Sequence, residues 1–160
     1  MARSDEKATH FIYEKKEDIE DLYMLLIKKA EEAFASSYSP YSNFEVGAAA
    51  LLENGEIISG SNQENAAYPS GLCAERVSLF QAGARFPNVK IIRLAVVAKR
   101  RGEKELRSGG PCGMCRQVML EYEQKQSSPI EIIFKIDNEN WIRTKTAASL
   151  LPFSFGKDNL

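Results

Sequence analysis

Two short segments of this 160-residue chain hold its most reactive side chains: Gly71-Leu-Cys-Ala-Glu-Arg-Val77 and Gly110-Pro-Cys-Gly-Met-Cys-Arg-Gln117. Together they contain all three cysteines, Cys73, Cys112 and Cys115, and Glu75 stands two residues past the first of them. Each segment opens a predicted helix directly after a loop. A helix N-terminus carries unsatisfied N–H groups and about half a positive charge, and both favour thiolate over thiol. Two such helix ends facing one another bring three thiolates to one point, and Zn²⁺ is the ion that prefers tetrahedral sulfur and nitrogen ligands. A structural zinc site is usually closed by four protein ligands. This chain has no fourth cysteine, and its one histidine, His10, sits in the polar N-terminal segment. An open fourth position would hold a water whose pKa zinc lowers. Glu75 is close enough in sequence to take that proton without ligating the ion.

Taken singly, neither segment is specific. A lone Cys73 is more often a small buried hydrophobe than a ligand. Cys112-Gly-Met-Cys115 alone fits half a zinc ribbon or a thioredoxin-like redox pair. Cys-x-Glu at one helix start together with Pro-Cys-x-x-Cys at another is far more specific.

The elements that must position these residues follow from pattern. Residues 1–16 read as a polar, loosely ordered N-terminal extension, and 17–160 as a single catalytic domain. Over 18–36, Ile19, Leu22, Tyr23, Leu26, Ala30, Ala33 and Phe34 fall at helical spacing and form a core-facing stripe. A β-branched and small apolar run at 44–52, then Asn54-Gly55, then 56–59 predict a hairpin. A polar loop over 60–71 leads to a helix at 73–84 and a buried-type strand at 89–98. A loop over 99–110 precedes a helix at 113–124. Strands at 130–136 and 141–144 and a short helix at 146–151 complete the chain. The order α-β-β-α-β-α-β-β-α predicts a three-layer α/β/α sandwich around a five-stranded mixed sheet.

Composition narrows the function classes. The chain is 44% hydrophobic and 27% charged, with a net charge of -1, which gives no electrostatic reason to expect nucleic acid. The basic run Lys99-Arg-Arg101 lies near Glu103 and Glu105 and reads as a solvated loop. No apolar run is long enough to span a membrane, and the N-terminus lacks the apolar stretch of a secretory signal. A reducing cytoplasm is the simplest home for three unpaired cysteines.

The segment from about 38 to 155 resembles the small homotetrameric cytidine deaminases of free nucleosides, with Cys73 where the wider zinc deaminase signature has histidine. Four stretches beyond the cysteine motifs carry the resemblance: Tyr41-Ser-Asn-Phe-Glu-Val-Gly-Ala-Ala49, Asn62-Gln-Glu-Asn-Ala-Ala-Tyr-Pro69, Arg116-Gln117 and Leu150-Leu-Pro-Phe-Ser-Phe-Gly156. The resemblance implies one zinc per chain on Cys73, Cys112 and Cys115, with Glu75 shuttling protons. It implies that the Ala74 backbone N–H meets the base near O2 and that Phe44 packs against the nucleoside. Asn62 and Glu64 would hydrogen-bond the ribose 3′-hydroxyl, and Ala66 would lie at the substrate. Tyr68 would lie near a neighbouring chain's nucleoside, and Phe155 would stack on the base in a neighbour's pocket. Arg76 is the nearest cation to the three thiolates and is expected to donate to their sulfurs. The family usually places Ser or Thr before its Pro-Cys pair, where this chain has Gly110.

The activity so implied is hydrolysis of cytidine and 2′-deoxycytidine to the uridine nucleosides and ammonia, a pyrimidine-salvage step. Rival readings are deamination of another cytosine-containing small molecule such as blasticidin S, and a non-catalytic zinc-stabilised binding module. The Asn62/Glu64 pattern favours the nucleoside over the first, and Glu75 beside an open site argues against the second.

Overall fold

In the computed structural model, residues 11–160 are described; residues 1–10, with His10, lie outside the described residues. The strands are β1 (Phe11–Lys15), β2 (Phe44–Leu52), β3 (Ile57–Ser61), β4 (Ile91–Arg100), β5 (Glu131–Lys135) and β6 (Asn140–Thr144). The helices are α1 (Asp21–Glu32), α2 (Ala74–Arg85) and α3 (Gly113–Gln126). One six-stranded sheet has the order β1-β6-β5-β4-β2-β3. Only β4 and β5 pair in parallel; the other neighbours are antiparallel. A parallel pair needs a crossover, and α3 supplies it.

The predicted mixed sheet with helices on both sides is therefore present, with six strands in place of five. The added strand is β1, inside the segment expected to be a loose extension. Its residues are largely exposed, so no buried apolar run betrays it. What orders it is backbone pairing with β6 and the Arg143–Glu14 ion pair at 3.1 Å. The last predicted helix is a single 3₁₀ turn, Ala147–Leu150, capped by the Thr146 side chain accepting from the Ser149 N–H.

Period-2 alternation divides the strands between two cores. On one face, Tyr23, Leu26, Ile27 and Ala30 of α1 pack against Ala49, Leu51, Ala95, Val97, Ile133 and Trp141. On the other, Ala74, Leu79 and Ala82 of α2 and Cys115 and Met119 of α3 pack against Ala48, Ala50, Leu94, Val96, Ile132 and Phe134. Two glycines set how closely the helices approach. A Cβ on Gly47 would stand 1.9 Å from the Ala30 carbonyl oxygen of α1, and one on Gly60 would stand 2.5 Å from the Ser78 nitrogen of α2. The β2–β3 hairpin turns at Asn54-Gly55, where Gly55 takes φ of 87°, a conformation that glycine adopts without Cβ strain.

Candidate active site

The thiols converge because the first residues of α2 and α3 lie side by side. Cys73 is the N-cap of α2, Cys112 is the N-cap of α3, and Cys115 lies in the first turn of α3. The Cys73 and Cys112 sulfurs are 3.9 Å apart, and those of Cys112 and Cys115 are 3.5 Å apart. All three sulfurs lie within 4.8 Å of one another. Two thiolates bound at about 2.3 Å on one tetrahedral ion stand about 3.8 Å apart, so this donor set fits a single zinc. Arg76 donates from Nη2 to the Cys73 sulfur at 3.8 Å and to the Gly71 carbonyl at 3.4 Å.

Hydrogen bonding from Cys115 pulls the Cys73 thiol down to about 5 against the effect of burial, and Arg76 adds to the pull. The same hydrogen bond, burial and the nearby Glu75 push the Cys115 thiol up.

Glu75 is 4% exposed. Its Oε2 is buried without a hydrogen-bond partner. Burial, with the Cys73 charge adding to it, pushes the carboxyl up to about 7 against its own backbone hydrogen bond. A carboxyl near that value can both take and return a proton at neutral pH.

A cavity of about 790 Å³ opens over this centre, its wall including Cys73, Glu75, Arg76 and Cys112. Among the expected substrate-binding residues, Phe44, Asn62, Glu64 and Tyr68 line it. Ala66, Ala74 and Phe155 are not among its lining residues, although Ala74 is the first residue of α2 between Cys73 and Glu75. The Asn62 Oδ1 accepts from the Val46 N–H at 2.9 Å and the Ser37 hydroxyl at 2.6 Å, and its amide donates to the Phe44 carbonyl at 2.9 Å. Asn62 thus fastens the start of β2 and retains one amide hydrogen for a ligand. Glu64 accepts from the Ser42 hydroxyl and from the Tyr41 N–H at 2.9 Å. Burial works to raise the Glu64 carboxyl, but the bonds from Ser42 and Tyr41 hold it below its ordinary value, and it remains an acceptor.

The family described as the cytidine and deoxycytidylate deaminase zinc-binding region matches residues 21–128. The chain belongs to the cytidine deaminase family. The cytidine deaminase of Halalkalibacterium halodurans is 38% identical over 137 residues, covering 85% of this chain and 96% of that one. The cytidine deaminase of Sporosarcina psychrophila is 40% identical, covering 84% of this chain and 92% of that one. The crystal structure of the Burkholderia pseudomallei cytidine deaminase superposes with a TM-score of 0.68 at 35% identity, covering 83% of this chain and 98% of that one.

For a member of the cytidine deaminase family, some site residues were not legible as such. Val96 and Ala98 form part of the cavity wall, and in sequence they look like any other buried strand residues. Ser42 holds Glu64 from 22 positions away. Nothing local in the sequence links the two, because the contact exists only once the 60–71 loop folds back on the turn before β2. Gln117 donates to the Phe155 carbonyl at 2.9 Å, which ties the C-terminal segment to α3. The Phe155 ring is left 60% exposed and the Tyr68 ring 76% exposed.

Proposed function

We propose that this protein is a zinc-dependent hydrolase that converts cytidine and 2′-deoxycytidine to uridine and 2′-deoxyuridine with release of ammonia, a step of pyrimidine salvage. The observation that carries the reading is the buried, unpartnered Glu75 Oε2 beside three converging sulfurs at one cavity. Cys73, Cys112 and Cys115 would hold one zinc per chain, which supplies Lewis-acid activation of the attacking water. Glu75 would take one proton of the attacking water and pass it to N3 of the pyrimidine, then take the remaining proton from the oxygen added at C4 and pass it to the departing amine, which leaves as ammonia as the C4 carbonyl forms. Its burial excludes bulk water from this exchange and keeps the carboxyl free for the substrate. The Ala74 N–H, at the start of α2, is assigned to the base near O2, and Phe44 to one face of the nucleoside. Asn62 and Glu64 are assigned to the ribose 3′-hydroxyl. Arg76 already donates to the Cys73 sulfur and to Gly71, so among the described residues the cavity wall offers no spare cation for a 5′-phosphate. That favours nucleosides over nucleotides.

The assembly proposed is a homotetramer with shared sites. Phe155 is anchored by its backbone while its ring faces outward, and Tyr68 stands at the cavity rim against Tyr41, their ring centroids 5.9 Å apart. Each suits a role in a neighbour's pocket. We place the enzyme in the cytoplasm; no described helix is long and apolar enough to cross a membrane. Residues 17–160 form the catalytic domain in this reading, with β1 added at its edge.

Ammonia release from cytidine, cytosine, CMP and blasticidin S, assayed separately, tests the substrate. Cytidine should react. Turnover of only one of the other three would replace this reading with the matching rival.

A further inference from the structure

Gly110 lines the cavity two residues before Cys112, and directly behind it lies the ring of Phe134 on β5. A Cβ built on Gly110 would stand 2.9 Å from Phe134 Cε2 and 3.3 Å from Cδ2 and Cζ. Side-chain carbons do not approach so closely without displacing something. Phe134 has little freedom to move away. It is 6% exposed, it is paired in register with Val96 and Ile142, and it belongs to the core cluster that contains Cys115 and Ala74. The loop is also pinned beside the ring. The Gly109 N–H donates to the Lys135 carbonyl at 3.0 Å, and Lys135 Nζ donates to the Leu106 carbonyl at 3.0 Å.

We propose that Phe134 is a positioning residue for the metal-binding loop. Its ring occupies the space that a side chain at position 110 would take, and so sets where the Gly110 backbone and the Cys112 thiol stand at the cavity wall. Positions 110 and 134 then form one steric unit: a larger residue at 110 requires a smaller one at 134. This inference rests on the proposed zinc hydrolase reading and names a residue of that site which touches neither substrate nor metal.

The test is a cycle of Gly110→Ser, Phe134→Leu and the double variant, each purified as the full chain. Three quantities are read: kcat and KM for cytidine, the rate of zinc release to a chromogenic chelator, and Tm. Gly110→Ser should lower kcat and speed zinc release, each on the order of tenfold, as expected for two residues in direct contact. KM should stay within about twofold, because the shift is at the metal-side wall rather than among the sugar contacts. The double variant should recover most of both losses. Wild-type kcat and zinc release in Gly110→Ser would overturn the proposal. So would a double variant whose effects are the plain sum of the singles, the result expected if Phe134 only fills the core. If Gly110→Ser does not fold, Gly110→Ala asks the same question with the Cβ alone. If the wild-type chain releases no ammonia from cytidine, the deaminase reading fails. Zinc release and Tm across the same cycle then still decide whether 110 and 134 are coupled.

Discussion

The two faces of the sheet treat charged groups differently. On the α1 face, Glu14 accepts from Arg143 through both oxygens, at 3.3 and 3.1 Å. Glu131 accepts from Arg93 at 3.2 Å and from the Tyr23 hydroxyl. The Arg93 and Arg143 guanidiniums lie over the Tyr23 ring, 4.7 and 5.2 Å from its centroid. On the α2/α3 face, Glu75 Oε2 and Arg76 Nε are buried without partners, and three thiols crowd together. Leaving a buried polar group unpaired costs about 1–3 kcal/mol. Glu123 of α3, on the same side, is satisfied by the Ile130, Ala147 and Ala148 N–H groups, so the unpaired carboxylate marks the cavity rather than the whole face as a place for a ligand. The α1 face is a brace that ties β1, β4, β5 and β6 together; the α2/α3 face holds the site.

The largest test of this contrast is Glu75→Gln. It should lower kcat by about 10²–10⁴-fold, the usual cost of removing a general acid–base group, or by more because one residue serves several steps. Zinc content should stay at one per chain and Tm should not fall, since Oε2 has no partner to lose and the amide oxygen of Gln can still accept the backbone hydrogen bond. A clear drop in Tm would show that Glu75 is part of the structural core, and near-normal turnover would require another base.

Arg76→Gln comes next. Groups that hydrogen-bond to metal ligands typically contribute about 10–100-fold to metal affinity, so zinc transfer to a competing chelator should become easier by a factor in that range. Unchanged zinc affinity and turnover would remove Arg76 from the site.

Arg143→Ala makes the complementary change on the other face. It leaves the half-buried Glu14 without its partner and should cost about 1–3 kcal/mol of stability in urea unfolding. Under native conditions kcat/KM should not change. A parallel loss of turnover would mean that the brace and the site are one unit.

The smallest expected effect belongs to Phe155→Ala. Loss of stacking on the base removes about 0.5–1.5 kcal/mol beyond burial, which should appear as a several-fold rise in KM with Tm unchanged for so exposed a ring. Mixing this variant with Glu75→Gln, after dissociation and reassembly, locates the ring. Partial recovery shows that it serves a neighbour's pocket. No recovery, or an active monomer on a sizing column, shows that it serves its own chain.

Much of this was legible in local pattern. Helical periodicity marks α1, Asn54-Gly55 marks the hairpin, and the position of each cysteine after a loop marks the two helix starts, because each signal depends on residues a few positions apart. Those spacings also point to zinc, through the donor types and their number, and make Glu75 the candidate base through its place two residues from a ligand. Contacts between distant segments were not legible. Strand β1 has no apolar alternation strong enough to announce itself and is held by a partner far along the chain in β6. The engagement of Asn62 and Glu64 by Ser37, Ser42 and the β2 backbone depends on how one loop folds over another. The fit of Gly110 against Phe134 joins positions 24 residues apart whose meeting is set by the parallel pairing of β4 with β5. Chemistry that resides in residue type and short spacing was determined by the sequence itself. Which polar groups are satisfied, which are left open, and which side chain yields space to which were decided only by packing, because burial and hydrogen-bond partnership are properties of neighbours in space.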